Sequence, residues 1–153
     1  MKIRRAKPNE ARGQANWIVA MEPWRSLGYE TAPLGRYLRR MARDAQALVA
    51  EEKRQILGIV VFQPDFLLGR FIALLAVRPE AAGRGVGRAL VERIEKATFA
   101  KRRWLYVSSD SENPSAARFY RKLGFGRVAR LPGLVRDGRT EILWRKQRES
   151  SRK

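Results

Sequence analysis

The sequence predicts an α/β (α+β) fold in which a mixed sheet of about six to seven strands is flanked by about four helices. Three observations carry the prediction. Apolar runs of strand length alternate with stretches of helical periodicity. Glycine and proline mark the changes of period, as at Pro8, Gly69, Pro79, Pro114 and Gly124. A chain of 153 residues with 44% hydrophobic content is long enough to bury a core of its own.

Taken in order, residues 1–6 read as the first strand. Pro8 then begins a helix whose Ala11, Ala15, Ile18 and Val19 share one apolar face; it stops near Glu22, because Pro23 disfavours helical geometry in the residue before it. Residues 24–31 form an irregular loop. A second helix over 33–45 places Leu34, Leu38, Met41 and Ala45 on one side. Residues 46–51 and 55–63 are two strands around the polar turn Glu52-Lys53-Arg54. Residues 71–77 are aromatic, β-branched and aliphatic throughout, the pattern of a fully buried strand. Val86, Leu90, Val91, Ile94 and Ala97 recur at helical spacing after it. Residues 103–109 form another strand, 113–124 a short helix, and 126–131 with 140–145 a closing strand pair. Only short loops separate these elements, so one domain is expected over 1–146, with 147–153 as a basic, frayed tail.

Composition narrows the chemistry. Without cysteine there is no disulfide framework, thiolate metal site or cysteinyl intermediate, and without histidine there is no imidazole ligand or base. No resident metal is expected. No apolar run reaches the length of a membrane span, and the basic N-terminus lacks the apolar stretch of a signal peptide, so a cytoplasmic location is the default expectation. Lys and Arg total 33 against 15 acidic residues, a net charge of +18 that steers polyanions toward the surface.

The join between the strand at 71–77 and the following helix is the most informative segment. It reads Val77-Arg78-Pro79-Glu80-Ala81-Ala82-Gly83-Arg84-Gly85-Val86-Gly87-Arg88. Glycines without a Cβ let anionic oxygens approach the backbone, and the first turn of a helix presents N–H groups that have no internal acceptor. A nucleotide-triphosphatase loop would need Lys and then Ser or Thr after its last glycine, whereas Arg88-Ala89 follow Gly87. A dinucleotide fold would run G-x-G-x-x-G directly from its strand, whereas here five residues intervene and the glycines run G-x-G-x-G.

This segment resembles motif A of the GNAT superfamily of acyl-CoA-dependent N-acetyltransferases, with one departure: Ala82 stands where that family usually has Arg or Gln. A second segment strengthens the resemblance. Asn113-Pro114-Ser115-Ala116-Ala117-Arg118-Phe119-Tyr120-Arg121-Lys122-Leu123-Gly124-Phe125 resembles motif B, with Asn113 at a helix N-cap, Pro114 at the first helical position and Gly124 as a left-handed terminator. The order of elements is similar to the whole GNAT fold, so the resemblance covers nearly all of the chain and implies a mostly antiparallel sheet.

The resemblance implies acetyl-CoA as cofactor, held by Leu75, Ala76, Val77, Ala82, Gly83, Arg84, Gly85, Val86, Gly87, Arg88, Asn113, Ala116, Tyr120 and Lys122. It implies that backbone N–H groups around Ala76 and Val77 polarise the thioester carbonyl, that Asn113 and Ala116 line the pantetheine arm, and that Tyr120 is the general acid for the leaving thiolate. The family's usual strand acid is missing, since residues 71–77 carry none and Ser108 stands about where the next strand's acid would fall. Glu22 and Asp110 are the candidate bases, with Glu30 and Glu112 also on flanking loops. A water relay would need none of them.

The acceptor should be met by the variable loops, with Trp24, Tyr29 and Leu134 as substrate contacts. A strongly positive surface disfavours a polycation, leaving a protein N-terminus, a lysine in acidic context or a small amino-acid-like amine. The partners expected are thus a small-molecule or protein amine and no membrane, with homodimer formation left open. The less favoured alternative is a nucleic-acid- or ribosome-associated module without turnover, using Trp17, Trp24 and Trp104 as stacking platforms.

Overall fold

A computed structural model describes residues 1–149. The elements are β1 (Lys2–Arg5), α1 (Ala11–Val19), α2 (Thr31–Arg43), β2 (Ala47–Glu52), β3 (Gln55–Phe66), β4 (Gly69–Val77), α3 (Val86–Phe99), β5 (Trp104–Asp110), α4 (Pro114–Lys122), β6 (Gly126–Pro132) and β7 (Thr140–Gln147). Single 3-10 turns at Pro8–Glu10 and Pro79–Ala81 precede α1 and α3. The strands form one seven-stranded sheet in the order β1-β2-β3-β4-β5-β7-β6. The order of strands and helices along the chain is the expected one, and the sheet is mixed with mostly antiparallel pairing.

The chain groups into two compact units. One comprises Met1–Phe62 with Ala73–Arg93, the other Gln63–Ile72 with the described chain from Ile94. In the first unit, antiparallel β1, β2 and β3 are covered by α1 and α2. Ala15, Ile18, Leu38, Val49, Ile59 and Val61 are all nearly solvent-free in its core, as amphipathic helices laid on a sheet require. The β2–β3 hairpin turns at Lys53 and Arg54, both left-handed (φ 49° and 65°), the conformation a two-residue hairpin needs. A Cβ added at Gly58 would stand 3.0 Å from Ala76 O and from Val86 Cγ1, so this glycine lets the start of α3 approach β3 closely. In the second unit, β4 and β5 are parallel from Gly69↔Trp104 to Ile72↔Val107, while β5–β7 and β7–β6 are antiparallel. Trp144 is buried there, donating its indole N–H to Ser109 Oγ at 2.9 Å under the Arg121 guanidinium.

Several boundaries differ from the sequence reading. Helix α1 ends at Val19 rather than near Glu22, and residues 20–28 form consecutive hydrogen-bonded turns, among them Arg25 N–H to Met21 O at 2.9 Å. Helix α2 begins at Thr31, with Pro33 inside the first turn where its missing N–H costs nothing. Ala45 lies beyond that helix with φ 57° rather than on its apolar face. In α3, Ala97 is exposed and Thr98 is buried in its place, its hydroxyl satisfied by Ile94 O at 2.7 Å. The strand over 71–77 is not fully buried. Ile72, Leu74 and Ala76 are covered, whereas Phe71, Ala73, Leu75 and Val77 keep partial exposure, because an unbroken apolar run does not reveal how completely each face is packed. Gln147 belongs to β7, opposite Trp104, so the tail starts later than expected; its residues 150–153 lie outside the described residues.

Candidate functional site

In the first unit, β4 delivers the chain into the glycine loop. Arg78 anchors the entrance: its backbone N–H donates to Leu57 O at 2.8 Å, its Nε to Ile56 O at 2.7 Å, and its guanidinium covers the Trp17 ring at 5.1 Å. Gly83 and Gly85 are both left-handed (φ 77° and 82°), and an added Cβ at either would meet nothing within 4 Å. The glycines are therefore required by backbone conformation, and the space in front of them is open. Ala89 N–H is bonded back to Gly85 O at 3.0 Å, so Val86, Gly87 and Arg88 contribute the donors of the first turn of α3. That arrangement fits a pyrophosphate: N–H groups without helical acceptors at the positive end of a 14-residue helix, next to two glycines with open space at their Cβ positions. Of the flanking arginines, Arg84 is ion-paired with Glu52 and Arg88 with Glu92, the latter at 2.8 Å. Ala82 is exposed just ahead of the loop, its N–H bonded to Pro79 O at 3.2 Å.

The same unit contains a cleft of about 510 Å³ lined by Trp24, Gly28, Tyr29, Glu30, Pro33, Leu34, Tyr37, Ala73 and Leu74. Two of the expected acceptor contacts, Trp24 and Tyr29, are in its wall. Tyr37, Glu30 and Pro33 join them because the turns over 20–28 fold back onto the start of α2. Sequence reasoning missed Tyr37; its i+3 spacing from the core residue Leu34 gave no sign that it faced a cavity. Burial holds the Tyr37 phenol above its ordinary pKa. Leu134, the third expected contact, lies on the β6–β7 loop of the other unit and is 58% exposed.

Glu22 does not line that cleft. Its carboxylate accepts the Ser26 N–H at 2.8 Å and the Ser26 hydroxyl, and pairs with Arg25 at 3.4 Å. These hydrogen bonds lower its pKa on the open surface.

In the second unit, Asn113 caps α4 as its position predicts, its Oδ1 accepting the Ala116 N–H at 3.2 Å and the Ser115 hydroxyl at 2.8 Å. Gly124 ends the helix with φ 93°. Tyr120 is almost fully buried, edge-on to the rings of Phe119 (5.1 Å) and Phe125 (5.6 Å). Burial, with a contribution from the Glu141 charge, raises its pKa well above that of an ordinary phenol, so it remains a proton donor throughout the neutral range. Lys122 is exposed at the end of α4.

Asp110, at the end of β5, is buried and closes an ion pair with Arg139 at 2.8 Å while accepting the Glu112 N–H at 2.8 Å. Directly across the ladder stands Glu141. This residue escaped the sequence reading, where it was one polar position in a closing strand; the signal was an acid at the second position of that strand, two residues after Arg139. Glu141 is buried and accepts the Ser108 hydroxyl at 3.1 Å. Burial raises its pKa, and the neighbouring Asp110 charge raises it further, against the opposing effects of Ser108 and Arg139.

The proposed stacking platforms are engaged elsewhere. Arg78 covers Trp17, whose N–H is bonded to Gln14 at 2.7 Å, and Trp104 carries Arg103 and Arg145 at 5.8 and 4.0 Å. Trp24 faces the cleft. Among the described residues no group of three or more acids could hold a metal ion, and no helix is long and apolar enough to cross a membrane.

Comparison with known proteins adds independent observations. The acetyltransferase (GNAT) domain family matches residues 43–127. An uncharacterized N-acetyltransferase of Methanocaldococcus jannaschii is 30% identical over 106 residues, 68% of this chain and 67% of that protein. The peptidyl-lysine N-acetyltransferase YiaC of Escherichia coli is 33% identical over 82 residues, 54% of this chain and 51% of that protein. Among solved structures, an aminoglycoside 6'-N-acetyltransferase complexed with coenzyme A superposes with a TM-score of 0.79 over the whole of both chains at 16% identity, a likeness of fold.

Proposed function

The chain belongs to the GNAT acetyltransferase family, and from that premise we propose that it transfers an acetyl group from acetyl-CoA to a primary amine by direct attack in a ternary complex. The observation that carries this reading is the pair of left-handed glycines, Gly83 and Gly85, opening onto the first turn of α3. Bound acetyl-CoA would supply an activated thioester. The chain supplies the rest, with residues 1–146 read as one catalytic domain.

Amides of Gly83 to Arg88 would take the pyrophosphate, supported by the helix dipole and by Arg84 and Arg88. Backbone N–H groups around Ala76 and Val77 would polarise the carbonyl and hold the developing oxyanion, with Leu75 alongside the cofactor. Following the family, Asn113, Ala116 and Lys122 would meet the rest of the cofactor, and Tyr120 would protonate the departing sulfur; its raised pKa keeps that proton available. Glu22, already bound by Ser26 and Arg25, is a weak proton acceptor, and Asp110 is committed to Arg139.

For the acceptor, the cleft between the loop over 20–28 and α2 combines aromatic walls, Trp24, Tyr29 and Tyr37, with the Glu30 carboxylate. This suits an amine on an apolar stem, the ammonium drawn to Glu30 and the methylenes lying on the rings. A lysine in an acidic protein context fits both this lining and the net charge of +18. The curated E. coli relative, named for peptidyl-lysine acetylation, supports the same choice.

Thiol release from acetyl-CoA, measured across acidic lysine peptides, N-terminal peptides, amino acids and polyamines, tests both donor and acceptor. Preference for the acidic lysine peptides is expected. No release with any amine would refute the assignment.

A further inference from the structure

We propose that four arginines on one face of α2, Arg36, Arg39, Arg40 and Arg43, select the acceptor by reading acidic side chains at alternate positions of the peptide beside the acceptor lysine. The inference rests on the acetyltransferase reading above and deepens it, because it names the residues that recognise an acidic context.

The four positions follow i, i+3, i+4 and i+7, the spacing of a single stripe along a helix. All four are exposed, and they lie opposite the buried face formed by Leu34, Leu38 and Met41. Helix α2 carries no acid between Thr31 and Arg43. Among the described residues none of the four forms an ion pair, whereas Arg4, Arg25, Arg78, Arg84 and Arg88 of the same unit all do. Like charges three and four residues apart weaken a helix. The helix dipole compensates Arg40 and Arg43 in the last turn, but not Arg36 and Arg39 before them. An anionic partner removes the repulsion for all four.

The place of the stripe identifies that partner. Pro33, Leu34 and Tyr37 of α2 line the aromatic cleft, with Glu30 at the N-cap of the same helix. Arg40, one turn beyond Tyr37, holds its guanidinium 5.7 Å from the centre of that ring. The stripe therefore runs from the rim of the cleft toward the end of α2, and a peptide whose lysine enters the cleft has its flanking residues beside the arginines. Residues four apart on a helix are separated by about 6 Å along the axis, and alternate side chains of an extended peptide by roughly 6.5 Å on one side. Two carboxylates with one residue between them thus match Arg36 with Arg40, or Arg39 with Arg43. Other occupants fit less well. A second copy of the chain would bring the same charge to the stripe. RNA would find partners for its phosphates but no ring to stack on, because Tyr37, the one aromatic residue of α2, lines the cleft under Arg40.

The experiment measures thiol release with lysine peptides that carry two glutamates, one residue apart, on either side of the lysine, against counterparts with glutamine in their place. Three proteins are compared: the unaltered one; Arg36→Gln, Arg39→Gln, Arg40→Gln and Arg43→Gln combined; and Lys96→Gln, Lys101→Gln, Arg127→Gln and Arg130→Gln combined, which removes equal charge from exposed positions elsewhere. At low salt the unaltered protein should show a KM about 5- to 10-fold lower for an acidic peptide than for its glutamine counterpart. The stripe variant should reduce that preference to under about twofold through KM, with kcat held within about twofold, and the second variant should keep it. Fluorescence anisotropy of the labelled acidic peptide, its lysine replaced by glutamine, should show weaker binding to the stripe variant without any turnover. Urea unfolding shows whether that variant is folded, and its midpoint should equal or exceed the parent's, since repelling charges have been removed. An active unaltered protein with no preference for acidic peptides overturns the inference and leaves the acetyltransferase reading intact. Preference retained by the stripe variant, or lost equally in both variants, does the same, as does a stripe variant that loses affinity for single-stranded RNA but none for the peptide. An unaltered protein that binds CoA but acetylates no peptide or other amine overturns the acetyltransferase reading, and the inference with it.

Discussion

Asp110 and Glu141 face each other across the β5–β7 ladder, both buried, yet Arg139 closes on Asp110 at 2.8 Å while Ser108 holds Glu141 by a hydroxyl hydrogen bond at 3.1 Å. Cross-strand like charges destabilise a sheet unless one is neutralised. The asymmetry gives one carboxylate a counter-ion and the other only a hydroxyl, and it leads to the first prediction.

Removing Arg139 should be costly. Arg139→Ala leaves Asp110 buried without its counter-ion, and a loss of about 3–5 kcal/mol is expected from urea unfolding. A loss under about 1 kcal/mol would mean that the pair is open to water and carries little weight. Asp110→Asn alongside Arg139→Ala should recover part of the loss.

Tyr120→Phe separates function from packing. The ring contacts with Phe119 and Phe125 survive the change, so stability should shift by under about 1 kcal/mol. Thiol release should slow by about 10- to 100-fold with CoA affinity nearly unchanged. An undiminished rate would take the acid role away from this phenol.

The glycine loop predicts a different split. Gly85→Val places a branched side chain at φ 82°, at a conformational cost of about 1–2 kcal/mol, but the added atoms meet nothing within 4 Å. The protein should therefore fold, while the new side chain occupies the space in front of the amides and abolishes CoA binding in calorimetry. Normal CoA affinity in a folded Gly85→Val protein would contradict the phosphate-loop assignment. Gly58→Val, by contrast, should destabilise, because its Cβ would lie 3.0 Å from Ala76 O and Val86 Cγ1.

Two glutamates should respond to pH with opposite signs. Hydrogen bonding to Arg4 lowers the Glu10 pKa, so its contribution to stability is present above the unfolded value and disappears as pH falls through the folded one. The Glu141 pKa is raised, so its favourable form is the neutral one, present below the unfolded value and lost as pH rises through the folded one. Urea midpoints from pH 3 to 8 should show Glu10→Gln weakening the protein most at neutral pH and Glu141→Gln strengthening it there. Parallel curves for the two variants would contradict the shifts.

Much of this molecule was legible in one dimension because the physics involved is local. Asn113, Pro114 and Gly124 delimit α4 through the capping and left-handed conformations of those residue types. Gly83 and Gly85 announce a strained turn opening a helix, and the apolar spacing of Leu34, Leu38 and Met41 gives the buried face of α2. Tertiary packing decided what local rules cannot contain. The partial exposure of β4 and the burial of Thr98 in place of Ala97 depend on what lies against each face. The facing of Glu141 and Asp110 depends on the register of strands separated by 29 residues of chain, 111–139, and the gathering of Trp24, Tyr29 and Tyr37 around one cleft depends on how a turn-rich segment folds back. Backbone conformation and capping are properties of a few neighbouring residues, so the glycine loop was readable; burial, ion pairing and the pKa of an acid are properties of distant segments brought together, so the facing of Asp110 and Glu141 was not.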